Sequence, residues 1–163
     1  MTFPARSLDL ARRLLAACEA KDLRLATAES CTGGLIIGCL TEIPGSSAVV
    51  ELGYVTYDNR AKQEVLGVPA ALREQVGAVS EEVARAMAVG ARERAHVDLA
   101  IAVTGIAGPG GATPGKPVGL VHMAVAVRDR PTLHAVEIFP GDRSAVRLAT
   151  VDAALALALR AVA

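Results

Sequence analysis

Helical segments that alternate with short apolar strands, and one pair of strands set three residues apart, predict an α/β protein. The expected architecture is a three-layer α/β/α sandwich on a mixed, mostly parallel sheet that carries one antiparallel hairpin. At 163 residues and 52% hydrophobic, the chain fits one domain over residues 1–163 with a substantial core. No internal repeat, linker or low-complexity segment divides it.

The elements follow in order. Residues 7–21 read as an amphipathic helix, with Leu8, Ala11, Leu15 and Cys18 near helical spacing and Ser7 as its cap. Residues 23–27 alternate like a strand, and residues 35–40 form an apolar helical run. A second strand spans 49–57. A short helix then runs over 59–66 and is closed by Gly67, and a brief one covers 69–75. Ser80-Glu81-Glu82 opens a long helix to about Ala95, and 98–104 is a near-continuous apolar strand of the kind buried on both faces. Residues 105–119 hold six glycines and three prolines and must be a loop. Strands over 120–128 and 132–139 flank Asp129-Arg130-Pro131 as a hairpin. The last helix begins near Asp142.

Seventeen basic residues balance seventeen acidic ones, and only Phe3, Tyr54, Tyr57 and Phe139 are aromatic. Neither a charge field nor a stacking surface for nucleic acid is present. The N-terminus lacks the long apolar core of a signal peptide and no charge-free apolar stretch reaches about 18 residues, so a soluble, cytoplasmic protein without membrane partners is expected. Three cysteines without CxxC spacing fit a reducing compartment. The alanine- and leucine-rich run near residue 155 reads as a helix covered on most sides, which motivates the expectation of a homo-oligomer, a dimer by commonness of two-fold symmetry.

Chemistry concentrates in three segments that each follow a strand. Ala28-Glu29-Ser30-Cys31-Thr32-Gly33-Gly34 puts a serine at a strand-to-helix turn, where backbone N–H groups stabilise an anion or a developing oxyanion. The plainer reading is that Thr32 caps a helix and the glycines make the turn. Tyr57-Asp58-Asn59-Arg60-Ala61-Lys62 lies at the same topological edge, and a lysine whose pKa is lowered by burial can activate a serine. Taken alone, Lys62 reads more readily as a solvated helix residue. Thr104-Gly105-Ile106-Ala107-Gly108-Pro109-Gly110-Gly111 offers close-approaching backbone amides, but it is neither GxGxxG nor a P-loop. Cys31 is an alternative nucleophile, although no histidine is near it in sequence. His96, His122 and His134 are scattered, so neither a metal site nor a Ser/His/Asp triad is supported. Arg143 and Arg147 could offer guanidinium groups to a phosphate, or form a solvated first turn.

These segments, with the Pro44-Gly45-Ser46-Ser47 turn and Lys116-Pro117-Val118-Gly119, resemble in order and spacing the CinA C-terminal domain family. The resemblance covers nearly the whole chain. It implies a nicotinamide mononucleotide deamidase that hydrolyses the carboxamide to the acid and ammonia, acting in pyridine nucleotide recycling without cofactor or metal. It also implies Ser30 as nucleophile, Lys62 as base and Tyr57 as helper. Cys31, Thr32, Gly33 and Gly34 would serve the oxyanion, and Ser47, Thr104, Gly105, Gly108, Gly110 and Arg143 the nucleotide. Asp58 departs from the family pattern, where serine is common, and reads as a turn residue. In CinA proteins this domain often follows a larger one similar to molybdopterin-binding proteins, so the chain resembles either a stand-alone deamidase or the C-terminal piece of a longer protein. Two alternatives accompany the deamidase reading: a non-catalytic nucleotide-sensing or interaction module, and an amidase for another small amide.

Overall fold

A computed structural model describes residues 3–163. Its elements are α1 (Ala5–Ala20), β1 (Leu25–Glu29), α2 (Leu35–Thr41), β2 (Val50–Val55), α3 (Asn59–Leu66), α4 (Ala70–Val76), α5 (Glu81–Ala95), β3 (Leu99–Gly105), β4 (Leu120–Val127), β5 (Leu133–Ile138) and α6 (Arg143–Val162), with a 3₁₀ turn at Ser46–Ala48. The sheet order is β2-β1-β3-β4-β5. The β1–β2 and β1–β3 ladders are parallel, whereas β3–β4 and β4–β5 are antiparallel. This is the expected mixed α/β/α sandwich with its hairpin. No helix among the described residues is long and apolar enough to cross a membrane.

The two sheet faces differ in side-chain size, which sets how closely helices approach. Leu25, Leu99, Ile101, Val103, Val121, Met123 and Val125 meet α1, α2 and α6 in one core. Ala28, Ala100, Ala102, Ala124 and Ala126 meet Ala84, Met87, Ala88 and Ala91 of α5 in the other. Small residues on both sides let α5 lie close to the strands. At Gly90 any Cβ would collide with the Leu66 carbonyl, so the end of α3 is pressed directly on α5. That contact fixes the helix carrying Lys62.

Two sequence expectations change. Helix α1 starts at Ala5 behind Pro4, with no side-chain cap; Ser7 lies inside the helix, fully buried, and donates to Asp152 Oδ1 at 2.5 Å. Proline at the entry sets the start, and the serine is used to tie α1 to α6. Strand β1 does not alternate, because it is central and all five residues are buried. The apolar run of α6 is covered in part by its own chain. Val151, Ala154, Leu155, Leu157 and Ala158 pack in the core with α1, α2 and the sheet. Leu148, Ala153, Ala156 and Leu159 of the same helix stay partly buried.

Candidate active site

Parallel register brings the expected segments to one edge. Glu29 pairs with Val55 on one side and with Val103 on the other, so Ser30, Thr56 and Thr104 emerge together at the carboxyl ends of β1, β2 and β3. A pocket of about 260 Å³ opens there. Of the residues singled out from sequence, Ser30, Cys31, Tyr57, Lys62, Thr104, Gly105, Gly108, Gly110 and Arg143 line it. Among the described residues its lining contains no carboxylate, while Lys62 and Arg143 are both basic.

Lys62 is not a solvated helix residue. It is 1% exposed, and its Nζ lies 3.0 Å from Ser30 Oγ, 2.8 Å from the Thr56 carbonyl and 3.3 Å from the Tyr57 carbonyl. Burial pushes its pKa down to about 8, the Asp58 carboxylate opposing that shift and the Arg73 guanidinium adding to it. When the amine is neutral, the two carbonyls still hold its two N–H bonds, which leaves the lone pair facing Ser30. The backbone thus orients the base. Asp58 caps α3 by accepting from the Arg60 N–H.

The turn after Ser30 is held differently from the sequence expectation. Thr32 does not cap α2; its hydroxyl donates to Glu29 Oε1. The cap is Glu29 itself, fully buried at the end of β1, whose carboxylate accepts from Thr27 Oγ1, Thr32 Oγ1 and the N–H groups of Ile36 and Ile37. A carboxylate satisfies the first turn of a helix more strongly than a hydroxyl does. In consequence those amides do not serve an oxyanion. Gly33 N–H is also taken, by the Ser30 carbonyl, while the N–H groups of Cys31, Thr32 and Gly34 make no backbone hydrogen bond among the described residues; of these three residues only Cys31 lines the pocket. Thr32, Gly33 and Gly34 lie outside the pocket lining.

Glu29→Gln is expected to destabilise the fold by about 2–3 kcal/mol in a urea titration, because an amide nitrogen cannot accept from a buried helix N–H. An unchanged midpoint would contradict this account of the cap.

Ser47 is remote from the pocket: its carbonyl, with that of Ala48, accepts from Arg24 at the opposite end of the sheet. Thr104 lines the pocket but spends its hydroxyl on the Ala78 carbonyl at 2.9 Å, holding the wall formed by Ala78 and Val79. Arg143 donates to the Gly108 carbonyl and to the Tyr57 hydroxyl, both at 2.8 Å, so it bridges the glycine loop and the rim. Tyr57 is 60% exposed, with its hydroxyl on Arg143 and its carbonyl on Lys62. Arg147 does not face the pocket; it donates to the Cys31 and Thr32 carbonyls. Burial pushes the Cys31 thiol up to about 11, which leaves it a thiol at neutral pH. His122 and His134 contact each other on β4 and β5, outside the pocket lining.

Glu29, Asn59, Ala78 and Val79 are site or support residues to which sequence reasoning gave no role, and Arg147, a phosphate candidate from sequence, holds the nucleophile turn instead. For Glu29 a signal existed: a charged residue closes a strand otherwise fit for burial on both faces. None existed for Asn59, Ala78 and Val79, which depend on tertiary placement.

The pocket lies at the carboxyl edge of an α/β sandwich, where small molecules bind in such sheets, and it brings a serine into contact with a buried lysine. The chain belongs to the CinA family: it matches the CinA C-terminal domain over residues 7–162. It is 48% identical over 152 residues to the nicotinamide-nucleotide amidohydrolase PncC of Enterobacter agglomerans, covering 93% of each chain. It is 54% identical over 136 residues to a CinA-like protein of Akkermansia muciniphila, covering 83% of this chain and 33% of that protein. The chain thus spans about a third of the length of the CinA-like relatives it matches. Among solved structures, the competence/damage inducible protein CihA from Agrobacterium tumefaciens superposes with a TM-score of 0.95 at 49% identity, covering 99% of this chain and 98% of that one.

Proposed function

We propose that this chain is an amidohydrolase that converts nicotinamide mononucleotide to nicotinic acid mononucleotide and ammonia. The observation that carries the reading is the contact between Ser30 Oγ and Lys62 Nζ, with the lysine pKa lowered to about 8. Ser30 Oγ attacks the carboxamide carbon while neutral Lys62 takes its proton, and the N–H of Cys31, which lines the pocket, receives the oxyanion. The tetrahedral intermediate then collapses. The C–N bond breaks, Lys62 returns the proton to the leaving nitrogen, and ammonia departs from an acyl-serine ester. Water, deprotonated by Lys62, cleaves that ester and restores Ser30. The relative named as a nicotinamide-nucleotide amidohydrolase supports the choice of substrate.

The substrate's phosphate is assigned to the Arg143 side of the pocket. Arg143 has only neutral acceptors among the described residues, Gly108 O and Tyr57 OH, and the lining holds no carboxylate to oppose an anion. Ammonia release from nicotinamide mononucleotide by the purified chain tests the activity. Nicotinamide riboside, which has no phosphate, is expected to show a kcat/KM about 10- to 100-fold lower for each charge-assisted hydrogen bond it cannot make. Binding energy from this remote group also positions the carboxamide, so kcat falls as well. Equal kcat/KM for the two compounds would transfer the reading to a general small-amide hydrolase.

A further inference from the structure

We infer that Arg147 is a positioning residue that aims the oxyanion-binding amide of Cys31, next to Ser30, an inference that rests on the acyl-transfer reading above. Its guanidinium donates through Nε to the Cys31 carbonyl at 3.1 Å and through Nη2 to the Thr32 carbonyl at 3.0 Å. No carboxylate pairs with it among the described residues. Its acceptors in the fold are two successive peptide oxygens of the nucleophile turn.

A trans peptide is planar, with its C=O and N–H on opposite sides. Holding the Thr32 carbonyl therefore fixes the Gly33 N–H in the reverse direction, toward the Ser30 carbonyl. The Ser30 carbonyl, held by Gly33 N–H at 3.0 Å, does the same for the Cys31 N–H. Downstream, Glu29 takes the Ile36 and Ile37 amides and fixes the other end of the turn. Gly33 completes the arrangement: at φ +57 it turns the chain, and a Cβ there would lie 3.3 Å from Arg147 Nη2. The site contains two arginines one helical turn apart on α6 with different tasks. Arg143 lines the pocket, and Arg147 holds the turn from outside the pocket lining.

A group that acts through the oxyanion donor affects the transition state and not substrate binding. Arg147→Met is expected to lower kcat for ammonia release about 100-fold while KM stays within about threefold. Arg147→Lys, whose ammonium reaches one carbonyl in place of two, is expected to retain an intermediate rate. A second readout does not depend on the substrate: labelling of Ser30 by a small alkyl fluorophosphonate, which displaces fluoride and forms a Ser–O–P bond through the same anionic geometry. Its rate constant is expected to fall by the same factor as kcat, with its pH midpoint unchanged because Lys62 is untouched. Labelling of Arg147→Met at the wild-type rate, or a loss carried in KM, would overturn the inference. If the wild-type chain is labelled but releases no ammonia from nicotinamide mononucleotide, the substrate proposal fails and the labelling comparison still decides the role of Arg147. A wild-type chain that is not labelled overturns both.

Discussion

Ser30→Ala is expected to reduce ammonia release by three or more orders of magnitude while the protein stays folded. Among the described residues, the hydroxyl is the only group bonded to Lys62 Nζ that can attack carbon; the other two partners are backbone carbonyls. Removing it leaves Lys62 with both carbonyl acceptors, and the alanine occupies a site only 8% exposed, so the change in stability is expected within about 1 kcal/mol. Cys31→Ala is the informative control. The thiol lines the same pocket, but burial holds its pKa near 11, so almost none is thiolate at neutral pH and little activity is expected to be lost. Circular dichroism and an ammonia assay on the two variants separate the candidates. A Ser30→Ala chain with near wild-type turnover would eliminate the covalent route, and a Cys31→Ala chain with the larger defect would move the nucleophile by one residue.

The sheet and its edge are legible in the sequence because they rest on local signals. Apolar strands before residues 30, 56 and 104 lead into polar or glycine-rich segments, and parallel crossover topology brings such ends to one side. The Ser30–Lys62 contact follows from that topology, but the burial of Lys62 does not. Sequence spacing cannot distinguish a lysine on the solvent side of a short helix from one facing the sheet, and only the packing of α3 on α5 at Gly90 decides it. The cap of α2 is misread from sequence for a related reason. Local rules favour the hydroxyl nearest the helix, whereas Glu29 reaches the same amides from the preceding strand because the turn folds back on it. Arg147 is ambiguous for want of tertiary context: its partners lie more than a hundred residues away in sequence. The composition of α6 signals burial correctly. What covers it, α1 and α2 of the same chain, cannot be read from hydrophobicity alone.

Replacing Lys62 is expected to separate activity from stability. In the wild-type chain kcat/KM should rise about tenfold per pH unit below about 8 and level off above it, since the neutral amine is the active form and its pKa is lowered to about 8. Lys62→Arg should lose at least about three orders of magnitude and show no such rise, because guanidinium stays protonated across this range. Stability should move in the opposite sense for Lys62→Met. The side chain is 1% exposed, and its pKa falls from 10.5 in the free residue to about 8 in the fold. Between those values the unfolded chain binds more protons than the folded one, so wild-type stability increases with pH across that window. Below about 8 the fold carries the full penalty of a charged buried amine, about 3 kcal/mol from the shift alone. Methionine removes the charge with similar volume but leaves the Thr56 and Tyr57 carbonyls without a donor, which offsets part of the gain. The net expectation at about pH 7 is a variant about 1–2 kcal/mol more stable than wild type, inactive, and lacking the rise between about 8 and 10.5. Urea titrations at about pH 7, 8.5 and 10 measure all three points. A Lys62→Met chain that is less stable near neutral pH and parallels the wild-type pH dependence would mean that Lys62 is held as a structural ammonium, and the assignment of the base would fall with it.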